Sequence, residues 1–436
     1  MRSILSKVFV ALASQRDTRS VGQYYAHVDG LRTIAVLSVV VFHLDPSWLP
    51  GGYVGVDVFF VISGFLISKI ILRQAKEGTF SFGSFYLRRV RRILPALFAT
   101  IVACLFAGAV LVTPERLELL GASAGAAALS ISNVYFWLTS GYFDAEAYTK
   151  PLLHTWSLSV EEQFYLFWPA LIVFMFRRRV LLLSVVGLLA LASLIGAVIV
   201  ADYAPQAGFY LSPFRVYEFA LGAACVELRR FANRIPQFIC YILSLVAFLL
   251  LAYAFTQFSS ATPFPSAYAL IPCIGTALLI ICGDRSGFLS WPINNPLSVY
   301  IGKLSYSMYL VHWPVIVYYK LLTLNPLEPG QIAIASALIL ALTLLLYYAV
   351  ERPFHHKIWK RAPSRLALSA VAGALLLTVV GASMWRGDGW SWRFSPETQA
   401  LLNYSVSHSE WRPYPQCFVP GGRGLDAFDR EFCTAA

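Results

Sequence analysis

Charge is what this 436-residue sequence has least of: 13% of its residues are Asp, Glu, Lys or Arg, against roughly 25% in ordinary soluble domains. With 58% hydrophobic residues and a mean hydropathy of +0.64, that deficit excludes a soluble globular protein. It excludes disorder as well, which requires low hydrophobicity. Chemical signatures are missing too. There is no Walker loop, dinucleotide glycine fingerprint, HExxH pair or cysteine metal cluster, so no metal is expected. No internal repeat of the kind that marks many secondary transporters is present. Nor is there a basic patch interleaved with aromatics in a soluble region, so the net charge of +11 does not point to nucleic acid.

What is abundant is apolar sequence. Stretches near the roughly 20 residues that cross a bilayer as helix lie around 31–46, 53–73, 94–112, 117–139, 158–176, 180–200, 213–228, 237–256, 266–282, 297–321, 330–350 and 365–385. Cations cluster in the N-terminal tail (Arg2, Lys7, Arg16, Arg19), at Arg73 to Arg92, at Arg177 to Arg179, at Arg229 to Arg234, and from Arg352 to Arg365. Cytoplasmic loops collect Lys and Arg, so consecutive clusters must be separated by an even number of crossings. Three candidates lie between Arg92 and Arg177, and one must fail to cross. The Ala/Gly/Ser-rich stretch 117–139 is the weakest and is read as a re-entrant or periplasm-facing segment. The expected fold is an all-α polytopic helical membrane bundle of ten crossings plus an eleventh, with the N-terminus cytoplasmic and the C-terminus outside.

The domain reading follows. Residues 1–24 form a cytoplasmic tail, read this way rather than as a signal peptide because its apolar run is short and followed by Arg16 and Arg19. Residues 25–360 form the ten-span domain, 361–385 an additional transmembrane helix, and 386–436 a periplasmic linker or the start of an extracytoplasmic domain. Cys417 and Cys433 lie in that last segment, where an oxidising compartment would allow a disulfide. Cys104, Cys225, Cys240, Cys273 and Cys282 lie in or beside spans and are expected to pack as small hydrophobes.

Ionised groups inside spans are costly and need a partner or a task. Arg32 and His43 are eleven residues apart, which returns to the same helix face about 16 Å along the axis. Asp57 opens the next span near the outer end, where it can meet His43; an imidazole beside a carboxylate suits general-base or nucleophilic work, and equally a charged pair that locks two helices. In PLLHTWSLSVEEQFYLFWP, His154, Glu161 and Glu162 start a descending span. Adjacent carboxylates point about 100° apart, so at most one of the two readily faces the interior, to bind an acceptor hydroxyl or a cation, or as a structural cap. Arg88, Arg89, Arg91 and Arg92 precede a span at Pro95; residues at i and i+3 share a face, fit for phosphate contacts or for a positive-inside anchor. Ser305, Tyr306, Tyr309 and His312 make 297–321 too polar to face lipid, so they line a cavity or bond across helices. The same buried charges would also serve a proton-coupled transporter or exporter. A membrane scaffold would leave His43 and the arginine run without a task.

Six blocks in order, DGLRTIAVLSVVVFHL, GGYVGVDVFFVISGFLI, FYLRRVRRILPA, LLHTWSLSVEEQFYLFWP, IGKLSYSMYLVHWP and VERPF, give the chain from Tyr25 to about Phe354 a specific resemblance to the membrane acyltransferase-3 family, the bacterial O-acyltransferases of cell-surface polysaccharides. The resemblance implies an enzyme of the bacterial inner membrane that moves an acetyl group from acetyl-CoA to a hydroxyl of an extracytoplasmic glycan, such as lipopolysaccharide O-antigen or peptidoglycan. A free or a lipid-linked sugar would serve as acceptor, and membrane lipid is the other partner. The family's Arg-x10-His pattern falls on Arg32 and catalytic His43. Its RxxR element falls on Arg89 and Arg92 as contacts to the acyl-CoA phosphates, and Asp57 and Glu161, with Glu162 as alternate, are its acidic members. The span after VERPF and the WRGDGWSWRFSP stretch look like the subgroup carrying a periplasmic SGNH-type domain, although no GDS block or DxxH follows in this sequence. The expected course of reaction has acetyl-CoA at the arginines with its pantetheine arm in the bundle. His43, supported by Asp57, then deprotonates the acceptor or receives the acetyl group, which passes to the glycan directly or by way of the SGNH-type domain.

Overall fold

The structure, a computed structural model, describes residues 24–139, 149–323, 327–356 and 363–406, and among them every regular element is a helix. The N-terminal tail with its cations, Lys357, Lys360, Arg361, and the Cys417 and Cys433 pair lie outside the described residues. The long helices are α1 (Ala26–Leu44), α2 (Gly55–Lys76), α3 (Phe82–Leu111), α4 (Pro114–Ala128), α5 (Ser132–Thr139), α6 (Thr155–Met175), α7 (Arg179–Tyr203), α8 (Val216–Leu228), α9 (Gln237–Gln257), α10 (Leu270–Cys282), α11 (Pro296–Thr323), α12 (Pro329–Leu346) and α13 (Pro363–Arg386). Local chemistry sets their starts. Ser81 caps α3 by accepting from the Ser84 N–H, and α12 opens with Pro329 behind a Glu328–Gln331 capping box, satisfying N–H groups that a helix start leaves open.

Among the described residues eight helices are long and apolar enough to cross a membrane: α1, α2, α3, α7, α9, α10, α12 and α13. Three further expected crossings fall on α6, α8 and α11. Helices α6 and α11 carry the polar residues of the interior, and α8 has only 13 residues, about 20 Å of rise. The centre and edge of the bundle differ in burial. The most apolar stretch of α2 is 72% buried, against 17% for α7 and for α13, whose outward Val180, Leu188, Leu368 and Val379 make a lipid-facing surface.

Contacts sort the helix ends. Arg88 bonds Gln74, Arg179 and Arg230 pair with Glu227, and Arg229 pairs with Asp284 and contacts His27, so the arginine clusters gather at one end. At the opposite end Gly51 meets Phe255, Tyr53 meets Ser259, and Trp313 bonds the Lys150 carbonyl. Helices α1 and α11 run parallel: Gly302 lies against Asp29 at the arginine-rich end, and His312 against His43 at the other, as the odd number of crossings expected between the two requires.

The segment 117–139 is two helices, α4 and α5, interrupted where Ser130 takes φ 57°. The 15 residues of α4 rise about 22 Å, short of the roughly 30 Å core, so this segment is broken rather than a continuous span. Helix α13 is seated on α4 at Gly121 and Gly381, where a Cβ on either would strike the other's backbone. Beyond it, Gly389 (φ 58°) rests on the Pro114 carbonyl and Arg393 donates to the Ala109 and Val112 carbonyls. Helix α13, the expected eleventh crossing, is therefore fastened to α3 and α4 at the end opposite the arginine clusters. The five cysteines in the bundle are free and buried.

Candidate active site

Two neighbouring cavities in the bundle hold most of the candidate residues. The inner one, about 270 Å³, is lined by Arg32 of α1, Ser63 of α2, Arg89 and Arg92 of α3, Glu161 and Tyr165 of α6, and Ser305, Tyr306 and Tyr309 of α11. Of the four arginines, Arg89 and Arg92 face it, the i, i+3 pair on one helix face. Arg88 turns to Gln74 instead, and neither Arg88 nor Arg91 lines the cavity. The guanidinium of Arg89 sits near the Tyr165 ring, and its Nε is buried without a hydrogen-bond partner. The Ser305 hydroxyl is also buried and unpartnered. Unmet donors in a cavity wall suit an anionic, oxygen-rich ligand. Arg32 lies 3.6 Å from Asp29.

Of the adjacent carboxylates, Glu161 points inward and accepts hydrogen bonds from Ser63 and Tyr165. Glu162 points away, accepting from Ser130 at the α4–α5 break, so its place is in holding that break. Tyr306 donates to the Ile93 carbonyl at 2.8 Å.

The outer cavity, about 320 Å³, is lined by His43, Asp57, His154, Trp156, Arg215, Tyr309 and Trp313 among others. His43 and Asp57 both reach it, but they are not each other's partners, contrary to the expected pair. Asp57 is taken by Arg215, whose Nη1 lies 2.9 Å from Asp57 Oδ1 and 2.9 Å from Glu218 Oε1. Arg215 is 1% exposed, bonds the Phe209 carbonyl, and is wrapped by the Trp156, Phe209 and Phe264 rings. His43 instead meets His312, Nδ1 to Nε2 at 3.1 Å, and packs against Trp313. His154 lies edge-on to Tyr309 and His312. The three rings abut rather than converge on a point: among the described residues no group of three His, Cys, Asp or Glu side chains is arranged to hold a metal ion. Just past the end of α1, bonds from the Ser47 hydroxyl and N–H hold Asp45 below the usual carboxylate range.

The cavities share Val56 and Tyr309. The Tyr309 hydroxyl is anchored to Ser157 at 2.6 Å and to the His154 carbonyl at 3.0 Å, so its ring stands between the arginines and the histidines. Arg32 and His43, on one face of α1, thus address different cavities. Residues not singled out from sequence are Arg215, Glu218, Ser63 and Tyr165. An arginine and a glutamate three apart in the apolar run FRVYEFALG were the available signal for the first two.

A model of the acyltransferase domain matches residues 25–348. The peptidoglycan O-acetyltransferase OatA of Listeria monocytogenes is 31% identical over 85% of this chain and 64% of its own length. The putative peptidoglycan O-acetyltransferase YrhL of Bacillus subtilis is 30% identical over 84% of this chain and 63% of its own. The chain therefore spans under two thirds of these relatives. The putative membrane-bound transacylase BcsY of Komagataeibacter xylinus is 34% identical over 87% of this chain and 94% of its own length. No solved structure matches. With these blocks, this helical bundle and this match over most of its length, the chain is a multi-pass membrane protein that belongs to the membrane acyltransferase-3 family.

Proposed function

We propose that the protein is an O-acetyltransferase of the bacterial inner membrane that transfers an acetyl group from acetyl-CoA, entering at the arginine-rich cytoplasmic end, to a hydroxyl of an extracytoplasmic glycan. The observation that carries this reading is the abutment of two chemically different cavities at Tyr309 and Val56. The inner one offers guanidinium donors for phosphates at Arg89 and Arg92, and the outer one offers an imidazole at His43. The named activity of OatA supports a cell-wall polysaccharide such as peptidoglycan as the acceptor class.

In this mechanism Arg89 and Arg92 hold donor phosphates, and the thioester end reaches the Tyr309 boundary. His43 removes the proton of the acceptor hydroxyl. The oxygen attacks the acetyl carbonyl carbon, the C–S bond breaks, and the proton returns from His43 to the departing thiolate. The products are the acetyl ester and free CoA. Arg32 and Glu161 set the charge around the donor. General acid–base help of this kind contributes about 10²–10⁴-fold.

The test uses purified protein with radiolabelled acetyl-CoA and a soluble glycan acceptor. Wild type releases CoA and labels the glycan, and His43→Ala loses transfer while still binding donor. Transfer by His43→Ala at the wild-type rate would remove His43 from the mechanism. Absence of CoA release from wild type would favour a transporter.

A further inference from the structure

We infer that His312 is a positioning residue that fixes the tautomer of His43, leaving Nε2 of His43 as the nitrogen that accepts the acceptor's proton. The inference rests on the reading of His43 as general base, and it is built from hydrogen-bond valence.

His312 is fully buried. Its Nδ1 lies 2.7 Å from the Tyr309 carbonyl one turn earlier, with the Met308 carbonyl also bonding the ring. Carbonyl oxygens only accept, so Nδ1 of His312 carries a hydrogen. With the ring neutral, its Nε2 then holds a lone pair. That Nε2 faces Nδ1 of His43 at 3.1 Å, so Nδ1 of His43 must donate. One hydrogen remains for each neutral ring, and Nε2 of His43 is left as a lone pair.

The rings are arranged for this bond. Their planes are 19° apart and their centroids 5.3 Å apart. The centroid distance exceeds the N···N distance by about one ring width, so the rings meet end to end, as a linear N–H···N bond needs. Trp313 and Phe42 hold the His43 ring from its sides, and His43 remains partly exposed on the outer cavity. A neutral imidazole thus takes the place that an orienting carboxylate occupies in a serine-protease triad, where losing the correct tautomer costs about 10⁴ in rate. The charge Asp57 would have supplied to His43 is engaged by Arg215. When His43 takes the proton at Nε2, its Nδ1–H continues to donate to His312, and no further group is needed.

Two measurements test this. In protein carrying ¹⁵N-labelled histidine, which has seven such residues, the His43 signals are identified by their loss in His43→Ala. The expected pattern is a protonated Nδ1 and an unprotonated Nε2. A protonated Nε2 on His43, or two protonated nitrogens on His312, would overturn the inference. For activity, His312→Gln places an amide oxygen near the lost Nε2, whereas His312→Phe fills the space without an acceptor. The expected result is transfer within about tenfold of wild type for His312→Gln and a fall of about 10³-fold or more for His312→Phe, with the KM for acetyl-CoA unchanged. Equal activity in the two variants, or greater activity in His312→Phe, would reduce His312 to packing. The spectrum reads the tautomer whether or not acetyl transfer occurs, so its outcome is separable from the functional proposal.

Discussion

Arg215 carries one positive charge between two carboxylates, and all three groups are almost completely removed from solvent. Removing one member of such a cluster leaves uncompensated charge in a low dielectric, at a cost of about 3–5 kcal/mol. Arg215→Met is therefore expected to lower the melting temperature of the detergent-purified protein sharply, and Asp57→Asn much less, because Arg215 keeps Glu218. Equal melting temperatures for wild type and Arg215→Met would show the cluster to be energetically idle. The arginines of α3 give a second prediction at this scale. Arg89→Ala with Arg92→Ala should weaken acetyl-CoA binding at least about tenfold, since each charge-assisted bond contributes about 1.5–3 kcal/mol. Arg88→Ala with Arg91→Ala should leave it nearly unchanged, and titration calorimetry distinguishes the pairs. Spacing grouped Arg89 with Arg92 and Arg88 with Arg91; it could not say which pair faces inward, because that depends on how α3 is rotated in the bundle.

Helix pairs are brought together by small residues, as expected where no hydrophobic drive exists between helices in lipid. Gly64 of α2 lies on the Phe219 carbonyl of α8, and Gly222 of α8 on the Val61 carbonyl of α2. This mutual approach sets Asp57 beside Arg215 and Glu218. Gly222→Leu has no room, and the overpacking cost of about 1–3 kcal/mol should appear as lower thermal stability together with lost transfer, whereas Gly187→Leu on the lipid face of α7, where a Cβ meets nothing, should change neither. Gly381→Leu should loosen α13 from α4 while sparing the core, measurable as faster proteolysis near Arg393 with stable α1–α12. The interruption of 117–139 was legible from its composition. That Glu162 anchors the break through Ser130 was not, because the two residues belong to elements 32 positions apart.

For the molecule as a whole, sidedness is the consequential property, since the proposed transfer, from a donor on one face to an acceptor on the other, requires the two cavities to open to opposite compartments. A cysteine at Ser47, exposed beyond α1, should react with an impermeant thiol reagent in intact cells. A cysteine at Ser84, exposed at the start of α3, should react only after permeabilisation. The reverse pattern would invert the orientation and put the histidine cavity in the cytoplasm. In both cases the five buried cysteines of the bundle should stay unlabelled.

The sequence by itself determined the class of protein, because 13% charge cannot clothe a soluble surface. It also determined that helices of membrane-spanning length build the fold, because apolar length is a local property that a bilayer reads directly. It singled out most of the ionisable residues that line the two cavities for the same reason: ionisable residues are conspicuous where lipid would penalise them. Only the tertiary structure decided who meets whom. Spacing fixes an angle about one helix axis, whereas His43 and His312 are 269 residues apart, and Asp57 and Arg215 are 158 apart. Those pairings exist only once glycine contacts have set the helices at their final depth and rotation. That packing replaced the expected His43–Asp57 pair with a histidine–histidine bond, and it placed Tyr309 between two cavities that no single helix could define.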